Sequence, residues 1–146
     1  MKRELTVVCV AFLVILLAMF VCGPSGAQQK GKAIKIGVLG PMSHVSGKYI
    51  TWSIEMAAEE INEAGGVSVA GVKRPVELVK VDTNELQSVP DAASAVERAI
   101  TVDKVDFLIG AWRSEAVLAM QDVGMDYKKI MITEAAHPSI SKLNFL

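Results

Sequence analysis

Apolar residues recur along this chain in two alternating rhythms. "AIKIGVLG", residues 33–40, is a short run rich in β-branched side chains that stops at Gly40-Pro41, as a strand does. Over residues 48–64 the apolar positions become Ile50, Ile54, Ala57, Ala58 and Ile61, one face of a helix, with Glu55, Glu59, Glu60 and Glu63 mostly off that face. Gly65-Gly66 supplies the positive-φ residue that ends it. "PVELVKVD", residues 75–82, alternates as a second strand. In "SVPDAASAVERAI" Ser88 is placed to cap, Pro90 suits a first turn, and Asp91 completes a capping box three residues on. The stripe Ala92, Ala95, Val96, Ala99, Ile100 then faces inward. "VDFLIG" reads as a third strand. Residues 114–127 form a third helix with Val117, Met120 and Val123 or Gly124 toward the core. "KIMIT" is a fourth strand, and "EAAHPSIS" opens a loop. No repeat and no low-complexity linker interrupts the series.

Strands alternating with helices imply parallel strands, right-handed crossovers and helices on both faces, the opening of a doubly wound α/β sheet. Strands one, three and four are apolar enough to be central. Strand two, carrying Glu77 and Lys80, reads as nearer an edge.

The N-terminus changes the compartment. Lys2 and Arg3 precede an apolar stretch over residues 5–22, and Ser25-Gly26-Ala27 has the small residues a signal peptidase accepts. Residues 1–27 are expected to be a signal peptide and residues 28–146 the exported chain; retention of the stretch as a membrane anchor is the alternative. Both cysteines, Cys9 and Cys22, lie inside it, so the remainder has no disulfide, cysteine nucleophile or cysteine metal ligand. Without the first 27 residues 13 cationic and 15 anionic side chains remain, a balance of −2 that argues against nucleic acid. The mean hydropathy of +0.38 is raised by the same stretch.

In such sheets the ligand crevice lies beyond the carboxyl ends of the strands, where strand order reverses. Three loops meet there: "GPMSHVSGKY", "GAWRSE" and "EAAHPS". They hold both histidines, His44 and His137, together with Trp112, Arg113, Tyr49, Ser46 and Ser114. Helix N-termini at the same crevice favour a carboxylate or another small anion. Ser114 is expected as helix cap, ligand contact or both. Arg113 is expected in solvent or paired with Glu115, and Trp112 as an apolar wall. Catalytic patterns are missing: there is no Gly-x-Ser-x-Gly elbow, no Walker loop and no GxGxxG after strand one, and nothing orders Ser114, His137 and Asp82 into a triad. Two histidines with Glu134 are a weak metal signal. The reading is of a binding protein with no cofactor and no metal, not an enzyme.

"IKIGVLGPMS", "AAEEINEAGGV", "VELVKVDT" and "DFLIGAWRSEAVLAM", in that order, resemble the type I periplasmic solute-binding proteins of the Leu/Ile/Val-binding branch that serve ABC importers. The resemblance runs over residues 34–141. It implies two α/β lobes closing on an amino acid or related small amide or carboxylate, with delivery to a membrane permease from the periplasm or the extracytoplasmic face. It places the ligand carboxylate on Ser114, further contacts on Ala136 and His137, and a wall residue near Ser46 or Tyr49. His137 stands where the family has threonine or serine, Arg113 where it has a small or neutral residue, and the loop after Ser43 is short. Family chains are more than twice this length, so the resemblance makes this an incomplete first lobe lacking the second, expected to bind weakly and dissolve poorly. A sensory domain of the same fold, anchored by residues 5–22, is the alternative.

Overall fold

The structure, a computed structural model, describes residues 31–140; the expectations for the N-terminal signal and its cleavage site lie outside them. The elements run β1 (Ile34–Gly40), α1 (Val45–Glu63), β2 (Val67–Val69), β3 (Val72–Arg74), β4 (Val76–Asp82), α2 (Val89–Thr101), β5 (Phe107–Gly110), α3 (Ser114–Asp126) and β6 (Ile130–Ile132). The main sheet is parallel throughout, in the order β4-β1-β5-β6. Strand order therefore reverses between β1 and β5, whose Leu39 and Gly110 are partners in register. That fixes where a crevice opens.

Side-chain alternation sorts the sheet faces. Leu39, Val81 and Leu108 point to the face covered by α2 and α3 and join Val96, Ile100, Val117 and Met120 in the core. On the opposite face α1 lies over β1 and β4. Its burial is narrower than the apolar stripe suggests: Gly47, Ile50, Thr51 and Ala58 are buried, while Ile61 is exposed. The α2 start follows the sequence closely, since Ser88 Oγ accepts from Asp91 N at 3.2 Å. The Asp91 carboxylate, however, accepts from Asn84 Nδ2 at 2.9 Å rather than turning back onto the cap. Among the described residues no helix is long and apolar enough to cross a membrane.

Two expectations change. β6 forms an edge of the described sheet, not a central strand, because no further strand pairs with it among the described residues. Ile130 and Ile132 are 55% and 61% exposed, and neighbouring Phe107 is 40% exposed. β4, as its charges suggest, is the other edge. The second change is an antiparallel hairpin, β2–β3, that the four-strand reading leaves out. Ala70 and Gly71, with φ of 50° and 81°, make its tight turn. It is held to the N-terminal end of the sheet by Gly31 N donating to Lys73 O at 2.8 Å and Arg74 Nε donating to Lys32 O at 2.6 Å.

Candidate functional site

At the carboxyl ends of β1, β5 and β6 the three loops border an open cleft of about 720 Å³. Its walls include Ser46, Tyr49 and Ile50 from α1, Trp112 to Glu115 from the start of α3, and Glu134 and Ala136 from the loop after β6.

The first wall is set by a close approach. A Cβ on Gly47 would lie 2.2 Å from Pro41 O, so only glycine lets the first turn of α1 fold back onto the β1 loop. His44 caps this helix: its Nδ1 accepts from Ser46 N at 3.3 Å and lies 2.9 Å from Ser46 Oγ. The helix thus starts three residues earlier than the periodicity shows, and one histidine is used as a cap. Asp82, at the end of β4, steadies the same loop by accepting from Met42 N at 3.1 Å. Tyr49 stands out from the wall, edge-on to Trp52 with ring centroids 5.7 Å apart.

The second wall begins with two consecutive positive-φ residues, Gly110 at 111° and Ala111 at 58°, which swing the chain out of β5. Ser114 is the first residue of α3 rather than its cap; Arg113 holds the cap position and its side chain does not cap. The carboxylate of Glu85, fully buried in the loop after β4, accepts from Trp112 N at 3.1 Å and Arg113 N at 3.3 Å. Arg113 does not lie in free solvent. Its Nη1 donates to Glu85 O and Leu86 O at 2.8 and 3.1 Å, and its Nε lies 3.5 Å from Glu115 Oε2. Trp112 Nε1 crosses the cleft to Ser46 Oγ at 3.2 Å.

The third wall is tied to the second by Thr133, whose Oγ1 donates to Ala111 O at 2.7 Å and accepts from Ala135 N at 3.2 Å. Ala136 reaches the cleft. His137 does not: it is exposed beside it, with Nδ1 accepting from Ser139 N at 3.1 Å. Six of the seven residues singled out in the sequence therefore share one cleft, and His137 stays off its wall. Glu85, Glu115 and Ile50 were not among them, and the sequence raises Glu134 only as a metal ligand beside the two histidines. Glu115 and Glu134 adjoin residues that were singled out, whereas Glu85 has no pattern around it that announces a buried carboxylate.

The cleft presents unspent donors. Among the described residues, nothing accepts from the N–H of Ser114 or of Ala136, and the Ser114 hydroxyl has no partner. A hydrogen bond from its own backbone N–H holds the Glu115 carboxyl below the usual carboxylate range, with Arg113 adding to the effect. Among the described residues no three His, Cys, Asp or Glu side chains gather as metal ligands.

Residues 33–143 match the family described as periplasmic binding proteins. No curated protein sequence matches the chain. Among solved structures, the branched-chain amino acid transporter substrate-binding protein LivJ from Streptococcus pneumoniae, in complex with isoleucine, is similar at 27% identity and a TM-score of 0.63. The leucine-binding protein LivK from Thermotoga maritima is similar at 28% identity and a TM-score of 0.60. A solute-binding protein of an ABC transporter from R. palustris, in complex with benzoate, is similar at 27% identity and a TM-score of 0.61. These alignments cover 75%, 75% and 74% of this chain but only 31%, 30% and 29% of the respective structures. The chain thus spans about three-tenths of the length of these relatives.

Proposed function

The chain belongs to the periplasmic binding protein family, and from that premise we propose that its cleft receives a small carboxylate-bearing solute for import across a membrane. The observation that carries this reading is the set of unspent donors on residues that line the cleft: Ser114 N–H and Oγ at the start of α3, and Ala136 N–H in the loop after β6. A helix start with a free N–H and a hydroxyl suits an anionic oxygen. Ile50, Tyr49 and Trp112 offer apolar surface for the rest of the molecule. Isoleucine and benzoate, held by two of the similar proteins, share a carboxylate on an apolar body. An amino acid or a related small carboxylate is the ligand class that fits both features.

In this reading the chain is the first-lobe portion of an extracytoplasmic solute-binding component, working with the membrane permease of an ABC importer. A second lobe closes over the ligand, and affinity rises as closure removes water from the charged groups. Residues 1–27 act as the export signal. Arg113 contributes mainly by fixing the turn, because its guanidinium is engaged by Glu85 O, Leu86 O and Glu115.

The test is Ser114→Ala with L-isoleucine and benzoate titrated by NMR. Loss of a hydrogen bond to a charged oxygen is expected to weaken whichever of the two binds by about 1–3 kcal/mol. Unchanged affinity removes Ser114 from the site, and no binding of either probe by the unmodified chain removes the carboxylate reading.

A further inference from the structure

We propose that Glu85 is the positioning residue of the carboxylate-holding turn, setting both its shape and which of its N–H groups face the ligand; the inference rests on the cleft being the ligand site. Glu85 is 0% exposed and lies in the loop between β4 and α2, outside the cleft wall. One carboxylate oxygen, Oε2, accepts from Thr83 Oγ1 at 3.1 Å. The other, Oε1, accepts from the backbone N–H groups of Trp112 and Arg113 at 3.1 and 3.3 Å. The attachment is returned from the other side, since Arg113 Nη1 donates to Glu85 O at 2.8 Å and to Leu86 O at 3.1 Å. Two loops whose bonded residues lie 27 and 28 positions apart in sequence are clasped in both directions.

This clasp sits where the backbone most needs one. Gly110 and Ala111 both have positive φ, and a non-glycine residue holds that conformation only when its surroundings over-determine it. Thr133 Oγ1 fixes the Ala111 carbonyl from one side at 2.7 Å, and Glu85 fixes the next two N–H groups from the other. The dependence is mutual, because a buried carboxylate is tolerated only when hydrogen-bonded. Glu85 also selects donors. By taking up the N–H groups of Trp112 and Arg113 it moves the free donors of this turn to the start of α3, Ser114 N–H and Oγ among them. A ligand carboxylate is thereby directed to Ser114 rather than spread over the preceding turn.

The experiment compares Glu85→Ala, Glu85→Gln and Thr83→Val in the full chain, reading the Trp112 and Arg113 amide resonances and the affinity for L-isoleucine by NMR. Glu85→Ala is expected to move both amide signals, to speed their hydrogen exchange, and to weaken isoleucine binding about tenfold, the effect of losing buried charge-assisted bonds. Glu85→Gln keeps an oxygen toward both N–H groups, so most of the amide protection and of the affinity is expected to return. If Glu85→Ala does not fold, Thr83→Val, which only loosens the carboxylate, is expected to shift the same two amides. Folded Glu85 variants that leave those amides unchanged, or that change them without weakening isoleucine binding, overturn the proposal. If the unmodified chain does not bind isoleucine, the choice of ligand fails separately. The amide signals alone then decide whether Glu85 sets the turn.

Discussion

Trp112 Nε1 donates to Ser46 Oγ at 3.2 Å, joining the turn before α3 to the first turn of α1 across the cleft they border. The indole is otherwise substantially exposed, so this bond is what defines its orientation over the opening. Ser46 is in turn fixed by His44, whose Nδ1 lies 2.9 Å from the same oxygen. The two walls are therefore coupled through one serine hydroxyl.

Ser46→Ala releases the indole. In a Trp52→Phe background Trp112 is the remaining tryptophan, and its emission is expected to shift to longer wavelength when the bond is lost. The stability change is expected to stay below about 1 kcal/mol, because the pair is exposed to water. In the same background, addition of L-isoleucine to the unsubstituted Ser46 chain is expected to alter Trp112 emission. Emission unaffected by Ser46→Ala shows that the bond does not orient the indole.

Two glycines are expected to respond in opposite ways to alanine. Gly110 has φ of 111°, and a Cβ there would lie 2.3 Å from Leu39 O, a backbone atom of the central strand that cannot move aside cheaply. Gly110→Ala is expected to cost more than about 2 kcal/mol and to disturb the turn leading to Ser114. Gly124, inside α3, has room: its Cβ would meet Lys129 O at 3.6 Å, an ordinary contact. Gly124→Ala is expected to be neutral or stabilising by up to about 1 kcal/mol, since alanine is the better helix former. Urea unfolding of both variants checks the pair, and equal costs contradict it.

The sequence carried the four parallel strands, the three helices and the loops that meet at the cleft, because strand and helix periodicities are local signals. Gly65-Gly66 and Ser88 marked their helix ends for the same reason. What it did not carry depends on distant partners. The role of Ser88 was legible, but that of Ser114 was not: Arg113 holds the cap position, in a turn whose N–H groups at Trp112 and Arg113 are taken by Glu85, far away in the chain. The apolar "IMI" of β6 reads as a central strand whether or not a helix covers it. Hairpin β2–β3 was hidden by its brevity, although Ala70-Gly71 is a turn signal within an alternating run.

Phe107, Ile130 and Ile132 form an exposed apolar strip on the α1 side of β5 and β6, at a strand edge with no neighbour among the described residues. Such an edge pairs readily with other chains. The chain is expected to self-associate with rising concentration, and Ile130→Thr with Ile132→Lys to suppress this without loss of fold, since both side chains are outside the core. Light scattering and sedimentation read the difference. Equal association of the variant shows that another surface is responsible.

Tyr127 gives a sign-defined dependence on pH. Its Oη donates to Glu97 Oε1 at 3.0 Å, tying the end of α3 to α2. That bond raises the phenol pKa above its ordinary value, with burial and the Glu97 charge acting in the same direction. Because the bond needs the protonated phenol, its contribution is fully present below the unfolded-state pKa of about 10 and is lost as pH rises through the higher folded-state value. The expected contribution is small, as the group is exposed. In a Tyr49→Phe background, absorbance titration near the phenolate band is expected to give a midpoint above about 10, and Glu97→Gln to lower it toward that value. A midpoint unmoved by Glu97→Gln shows that the hydrogen bond does not hold the proton on Tyr127.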